Sequence, residues 1–388
     1  MKTLGLAVFA SSAHALVASR RGEAFSIDAV AAPTLSQFDP AAELDRLWSK
    51  FPTTGLLDRR QTGTTEQQEG SAVVYPVGSG LTFLVPTVVG NQTFQIIYDT
   101  GSADLWVYSN ESSIYQSLDH PVYIPTSSAH LLPNYTWAIK YASGASVQGV
   151  VFTDIVHAGP VVAEKQAVQA ATIIPYEFSS DGILGLAPST INTVVPEKQH
   201  TFFETVEPTL SKKVFAANLR KGGNGTWDFG YIDDAKYSGE IMWAPVVSDK
   251  YWAVDVQEYA TGEGSFSTAT VGQVIVDSGT SLVYLPDAVV NDYYSQIAGY
   301  SLTQGGSRIF PCNSTVPDLH LKIGQGTVTV FGRDVNFATY DKSKGLCSGA
   351  ITSSLNMKYS VLGNLFMRNY YVVHSREDST PQMGFALH

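Results

Sequence analysis

One pattern occurs twice in this chain, and its two copies lie 178 positions apart. The first runs from Phe94-Gln95-Ile96-Ile97-Tyr98 into Asp99-Thr100-Gly101-Ser102. It is followed by Asp181-Gly182-Ile183-Leu184-Gly185, whose last residue stands 86 positions after Asp99. The second runs from Gln273-Val274-Ile275-Val276 into Asp277-Ser278-Gly279-Thr280. It is followed by Tyr359-Ser360-Val361-Leu362-Gly363, again ending 86 positions after its Asp. Repetition on this scale predicts two related lobes, each carrying a strand, an Asp-[Thr/Ser]-Gly turn and a later apolar segment closed by Gly. In each turn the Gly frees the backbone for tight geometry, and the hydroxyl before it can lock one loop against its twin. A single Asp-Thr-Gly is an ordinary turn. Two of them, after apolar strands and at matched distances from an apolar-apolar-Gly segment, are a site.

The rest of the chain fits a two-lobed β protein. Its 388 residues are long for one domain. Hydrophobic content of 44% with 11% aromatics supplies sizeable cores, and the apolar runs are short and broken by Gly, Pro and polar residues, which predicts strands. No apolar run in the body of the chain reaches the roughly 20 residues of a membrane helix. The N-terminus differs. Lys2, the apolar stretch Leu4–Ala10 and Ala13-His14-Ala15 read as a secretory signal peptide over residues 1–15, with a buried first strand as the alternative. Arg20-Arg21 opens the next stretch, and Arg59-Arg60 precedes the polar Gln61–Gly70. We expect a pro-segment over 16–60 and a mature chain starting near Gln61.

Residues 1–60 hold 7 of the 24 Lys/Arg and 6 of the 35 Asp/Glu, leaving 17 against 29, a formal charge of −12. That surface argues against nucleic acid, which needs clustered bases. It is compatible with work at low pH, where carboxylates protonate and few bases limit the positive charge. The only cysteines, Cys312 and Cys347, suit a disulfide in a secreted protein, with two buried thiols as the alternative. Candidate metal ligands are too few nearby for a metal site, and no cofactor is expected. Asn91, Asn110, Asn134, Asn224 and Asn313 head sequons permissive for glycosylation.

Asp99-Thr100-Gly101-Ser102-Ala103-Asp104-Leu105-Trp106-Val107 resembles the first active-site loop of the pepsin family, and Val276-Asp277-Ser278-Gly279-Thr280-Ser281 the second. Asp181–Ala187 and Val361–Phe366 resemble the apolar segments threaded beneath those loops, and Met383-Gly384-Phe385-Ala386-Leu387 the family's ending. The resemblance covers about residues 71–388 and is strongest in feel to the fungal penicillopepsin and aspergillopepsin branch. It implies an all-β, bilobal acid-protease fold with pseudo-twofold lobes over 61–245 and 246–388, an interlobe sheet and a central cleft. The implied activity is that of a secreted, monomeric aspartic endopeptidase, with vacuolar delivery as the alternative. Peptides, pepstatin-type inhibitors and its own pro-segment would be its partners.

In that reading Asp99 and Asp277 meet at the axis. Two such close carboxylates cannot both ionise readily, so they share one proton over an acidic range and titrate as a pair. Ser102 and Thr280 would each donate to their Asp, while Thr100 and Ser278 interlock the loops. Trp137–Gly149 resembles the flap that closes over substrate. Tyr141 would bond Trp106 and line S1, with Ala142-Ser143 at the tip in place of the usual Gly plus Thr or Asp, followed by Gly144. An acid at the tip lets some fungal members accept Lys at P1, and Ser143 offers only a hydroxyl. Ile97 and Ile183 match S1 positions, although buried Ile is more often simply core, and Tyr251 matches a primed-side position. Asn364 stands where Asp is frequent. Lys50 would pair with the two Asp in the zymogen, or be a plain exposed lysine. Two rivals remain at this stage: an inactive pepsin-like binding protein, which would normally lose an Asp, and a glycosidase with paired carboxylates, which needs neither twin loops nor a flap.

Overall fold

Short apolar runs with alternating burial, such as Ser146–Ala158, become strands whose buried side faces a core. The computed structural model describes residues 67–111, 120–175, 178–267, 271–355 and 357–388. The signal peptide, the pro-segment, Lys50, Arg59-Arg60 and Gln61 lie outside the described residues. Strands dominate, arranged in sheets of 13, 7 and 4 strands. Asp287–Ser295 is the longest helix among the described residues, and none there is long and apolar enough to cross a membrane. The architecture is bilobal and all-β.

The sequence repeat is a repeat of topology. Strand Gln92–Asp99 pairs in parallel with Gly182–Gly185, placing Ile97 opposite Ile183 and Asp99 opposite Gly185. Gly182–Gly185 in turn runs antiparallel to Leu105–Tyr108. In the second lobe Gly272–Val276 pairs in parallel with Ser360–Leu362, which runs antiparallel to Val283–Leu285. Each apolar-apolar-Gly segment is therefore threaded between the strand entering its Asp turn and the strand leaving it. The turn is pinned on both sides.

A six-strand run joins the halves. Its order is Ser238–Pro245, Gln382–Leu387, Tyr370–Ser375, Val214–Asn218, Gly225–Phe229 and Gly70–Val77. The seam is the pairing of Tyr370–Ser375 with Val214–Asn218, where Val373 faces Ala216. Phe215, Trp227, Phe229 and Trp252 are buried beside it, each side chain worth roughly 1.5–3 kcal/mol of burial. His374 sits among them with no exposed surface.

Cys312 and Cys347 are joined in a disulfide closing a separation of 35 residues, worth about 3–4 kcal/mol in the chain-entropy account. The five sequon asparagines are all exposed. Asn134 adopts the left-handed region, φ 68°, which a short polar side chain tolerates.

Candidate active site

Both Asp turns end strands whose side chains alternate, so Asp99 shares the face of Ile97 and Asp277 that of Ile275. The two turns meet with near-symmetric bonding. The Gly101 N–H donates to Asp99 Oδ1 at 2.8 Å and the Ser102 hydroxyl to Oδ2 at 2.6 Å. The Gly279 N–H donates to Asp277 Oδ1 at 2.8 Å and the Thr280 hydroxyl to Oδ2 at 2.6 Å. Across the axis the Thr100 N–H donates to Ser278 Oγ and the Ser278 N–H to Thr100 Oγ1, both at 3.0 Å. The two hydroxyls then reach further into the opposite lobe: Thr100 to the Val276 carbonyl at 2.8 Å and Ser278 to the Tyr98 carbonyl at 2.6 Å.

This interlock explains the glycines. A Cβ on Gly101 would lie 2.6 Å from the Asp277 carboxyl carbon, and one on Gly279 would lie 2.6 Å from that of Asp99. Each carboxylate occupies the space that the other loop's side chain leaves empty. Asp99 is 6% exposed and Asp277 is half-buried. Desolvation first, and then the neighbouring Asp99 charge and hydrogen bond, hold the Asp277 carboxyl far above the ordinary carboxylate range. A carboxyl pair of this kind can keep one proton and accept another from water.

Above the pair stands the hairpin of His130–Lys140 and Ser146–Ala158. The Tyr141 N–H donates to the Ala145 carbonyl at 2.8 Å, the Gly144 N–H donates to the Tyr141 carbonyl at 2.9 Å, and Gly144 has φ 87°. Ser143 is exposed at the tip. The Trp106 Nε1–H donates to the Tyr141 hydroxyl at 2.7 Å, so the hairpin is tied to the strand leaving the Asp99 turn. Ile97 and Ile183 pack in the same apolar cluster as Trp106 and Tyr141. Burial, and then the charge of Asp99, push the Tyr141 hydroxyl well up, keeping it a neutral donor. Tyr251 lies on the Asp277 side, edge-on to Tyr359 at 5.4 Å.

A profile described as eukaryotic aspartyl protease matches residues 86–388. Aspergillopepsin-1 of Aspergillus fumigatus is 40% identical over 323 residues, 82% of this chain and 81% of its own. Penicillopepsin-2 of Penicillium janthinellum is 39% identical over 325 residues, with the same two shares. Aspergillopepsin-1 of Aspergillus oryzae is 36% identical over 388 residues, 98% of this chain and 97% of its own. The chain belongs to the eukaryotic aspartyl protease family. Its pepsin-like fold and its aspartic endopeptidase activity follow from that membership.

The protease holds features that the linear pattern did not single out. Phe178 packs edge-on against Trp106 at 5.0 Å and Tyr141 at 6.0 Å, and its N–H donates to the Tyr108 hydroxyl at 3.2 Å. No periodicity marks it, because it follows a loop rather than a strand. Asp104, 1% exposed, accepts from Gln169 Nε2 at 2.7 Å and Thr193 Oγ1 at 2.8 Å, and from Asn192 Nδ2 at 3.3 Å. That network fixes the chain just after the first turn. Asn364 Nδ2 donates to the Ser278 carbonyl at 2.8 Å and the Leu81 carbonyl at 3.0 Å. The amide thus supports the second turn as a donor, which an ionised Asp could not do.

Proposed function

We propose that Asp99 and Asp277 together activate water for hydrolysis of peptide bonds at acid pH, after secretion and loss of residues 1–60. The reciprocal cradle of the two carboxylates carries this reading. The ionised carboxylate takes a proton from a water held between the pair, and that water's oxygen attacks the scissile carbonyl carbon. The protonated carboxyl hands its proton to the carbonyl oxygen, giving a neutral tetrahedral diol with no covalent bond to the enzyme. On collapse one diol hydroxyl gives its proton to the ionised carboxylate, the C–N bond breaks, and the leaving nitrogen takes up the proton of the protonated carboxyl. Ser102, Thr280 and the N–H groups of Gly101 and Gly279 hold each carboxyl in place; Thr100 and Ser278 hold the lobes at the required separation. A glycosidase is disfavoured, because its carboxyl groups stand at least about 5 Å apart while these are in hydrogen-bond contact.

Specificity follows from the hairpin pocket. Ile97, Ile183 and Tyr141 offer apolar lining, and burial of a Phe, Leu or Tyr at P1 gains roughly 1.5–3 kcal/mol. A P1 lysine would need a negative partner that Ser143 does not supply. Matched peptides with Phe or Lys at P1 should differ by about ten- to a hundredfold in kcat/KM, in favour of Phe. Ser143→Asp should raise Lys turnover at pH 5.5, with the gain fading toward pH 3. Equal cleavage of both peptides by the wild type would overturn the assignment of hairpin and pocket.

Maturation is read from Arg59-Arg60, with residues 61–245 and 246–388 forming the two lobes of the mature enzyme. N-terminal sequencing of active enzyme from the culture medium should give Gln61 or a close neighbour. A stable, active form that retained residues 21–60 would contradict the pro-segment.

A further inference from the structure

The cleft wall on the Asp277 side ends in a charge of the minority sign. Lys358 is exposed, and its Nζ lies 5.2 Å from the centre of the Tyr359 ring. That ring stands edge-on to Tyr251 at 5.4 Å. Tyr251 precedes Trp252, whose carbonyl accepts from the Val276 N–H at 3.0 Å, so it borders the strand that enters the Asp277 turn. Two tyrosines in edge-to-face contact therefore link the border of the Asp277 turn to an ammonium. Four bases among the described residues are set over an aromatic ring; Lys236, Arg308 and Arg333 also pair with a carboxylate, and Lys358 makes no such pair. The chain from Gln61 on has 29 acids against 17 bases, so this ring-held ammonium is a charge of the minority sign. The aromatic platform holds the amine by cation–π attraction without neutralising it.

We infer that Lys358 is a specificity residue, selecting peptides that carry a carboxylate in the subsite lined by Tyr251 and Tyr359. The proposal rests on the Asp99–Asp277 reading of the same cleft. It assigns the two sides of the scissile bond different chemistry: an apolar pocket under Tyr141, and an aromatic platform ending in a cation. The group facing the ammonium is the Tyr359 ring on its own segment, with Tyr251 edge-on to that ring from the neighbouring segment. The pH dependence of recognition then comes from the substrate. A Glu side chain ionises near pH 4.3, so the attraction is present above that value and lost below it.

The test uses the mature enzyme and quenched peptides with Phe at P1 and a single Glu or Gln placed in turn at each position on the Tyr251 side. In wild type, one position should favour Glu over Gln by about two- to fivefold in kcat/KM at pH 5.5, as expected of an exposed pair. The ratio should fall to parity at pH 3. Lys358→Gln should bring the ratio to parity at pH 5.5, and Lys358→Glu should take it below one. Parity at every position in wild type at pH 5.5, or a Glu preference that survives Lys358→Gln, overturns the proposal. Pepstatin-sensitive cleavage of the Gln peptides would show that the dyad reading survives such a result. No cleavage of any peptide by the wild type would overturn both.

Discussion

Asp277→Asn is expected to lower kcat/KM by about 10²–10⁴-fold, the range lost with a positioned acid–base group, and to make the folded protein more stable at neutral pH. The two effects share a cause. Desolvation and the Asp99 charge push the Asp277 carboxyl well up from the roughly 3.9 of an unfolded chain. A folded value above the unfolded one means that the stability is intact below about pH 3.9 and is lost as pH rises toward the folded value. Asn cannot ionise, so the variant escapes that loss while keeping the shape that accepts from Gly279. Kinetics at pH 4 together with melting curves at pH 3 and pH 7 separate chemistry from folding. A variant with equal Tm at pH 3, higher Tm at pH 7 and almost no turnover matches the shared-proton pair. More than a few per cent of wild-type activity, here or in Asp99→Asn, would sink it.

His374→Phe should extend stability to lower pH. The ring is fully buried at the seam, stacked on Phe215 at 4.3 Å and edge-on to Trp252 at 5.1 Å. Neither ring nitrogen has a hydrogen-bond partner among the described residues. Burial lowers its pKa from the usual 6.5 to about 3. The unfolded chain therefore binds a proton below pH 6.5 that the folded chain refuses. Stability falls from there and levels off below about pH 3, by an amount on the order of 5 kcal/mol. Phe keeps the stacking and has nothing to protonate. Urea midpoints should show a modest gain at pH 7, from removing unpaired nitrogens, and a much larger one at pH 3. Parallel pH profiles for the two proteins would refute this account.

The catalytic reading was legible in the sequence because a twofold site is written twice. Asp99 and Asp277, their hydroxyl partners and the two threaded segments all recur at one spacing, and a hairpin with small residues at its tip announces itself by alternation. Phe178 and the network around Asp104 were not legible, since their partners lie tens of residues away along the chain. His374 was hidden differently. It stands in Tyr370–Ser375, a strand otherwise apolar enough to look like plain core, and only the packing shows the ring sealed without partners. Strand order across the seam was equally out of reach: local pattern marks Val373 and Ala216 as strand residues, but nothing local says that they face each other.

The six-strand run has a bearing on how the molecule is made. Its members include Gly70–Val77, the first strand of the described residues, and Gln382–Leu387, the last. Gln382–Leu387 is also the strand that ties Ser238–Pro245 to Tyr370–Ser375. During synthesis both Asp turns leave the ribosome before Tyr370–Ser375 and Gln382–Leu387 do, so at that stage the sheet that sets their distance lacks two strands. The first lobe can form before the joint does. Completion of the cleft is thus postponed by chain order itself.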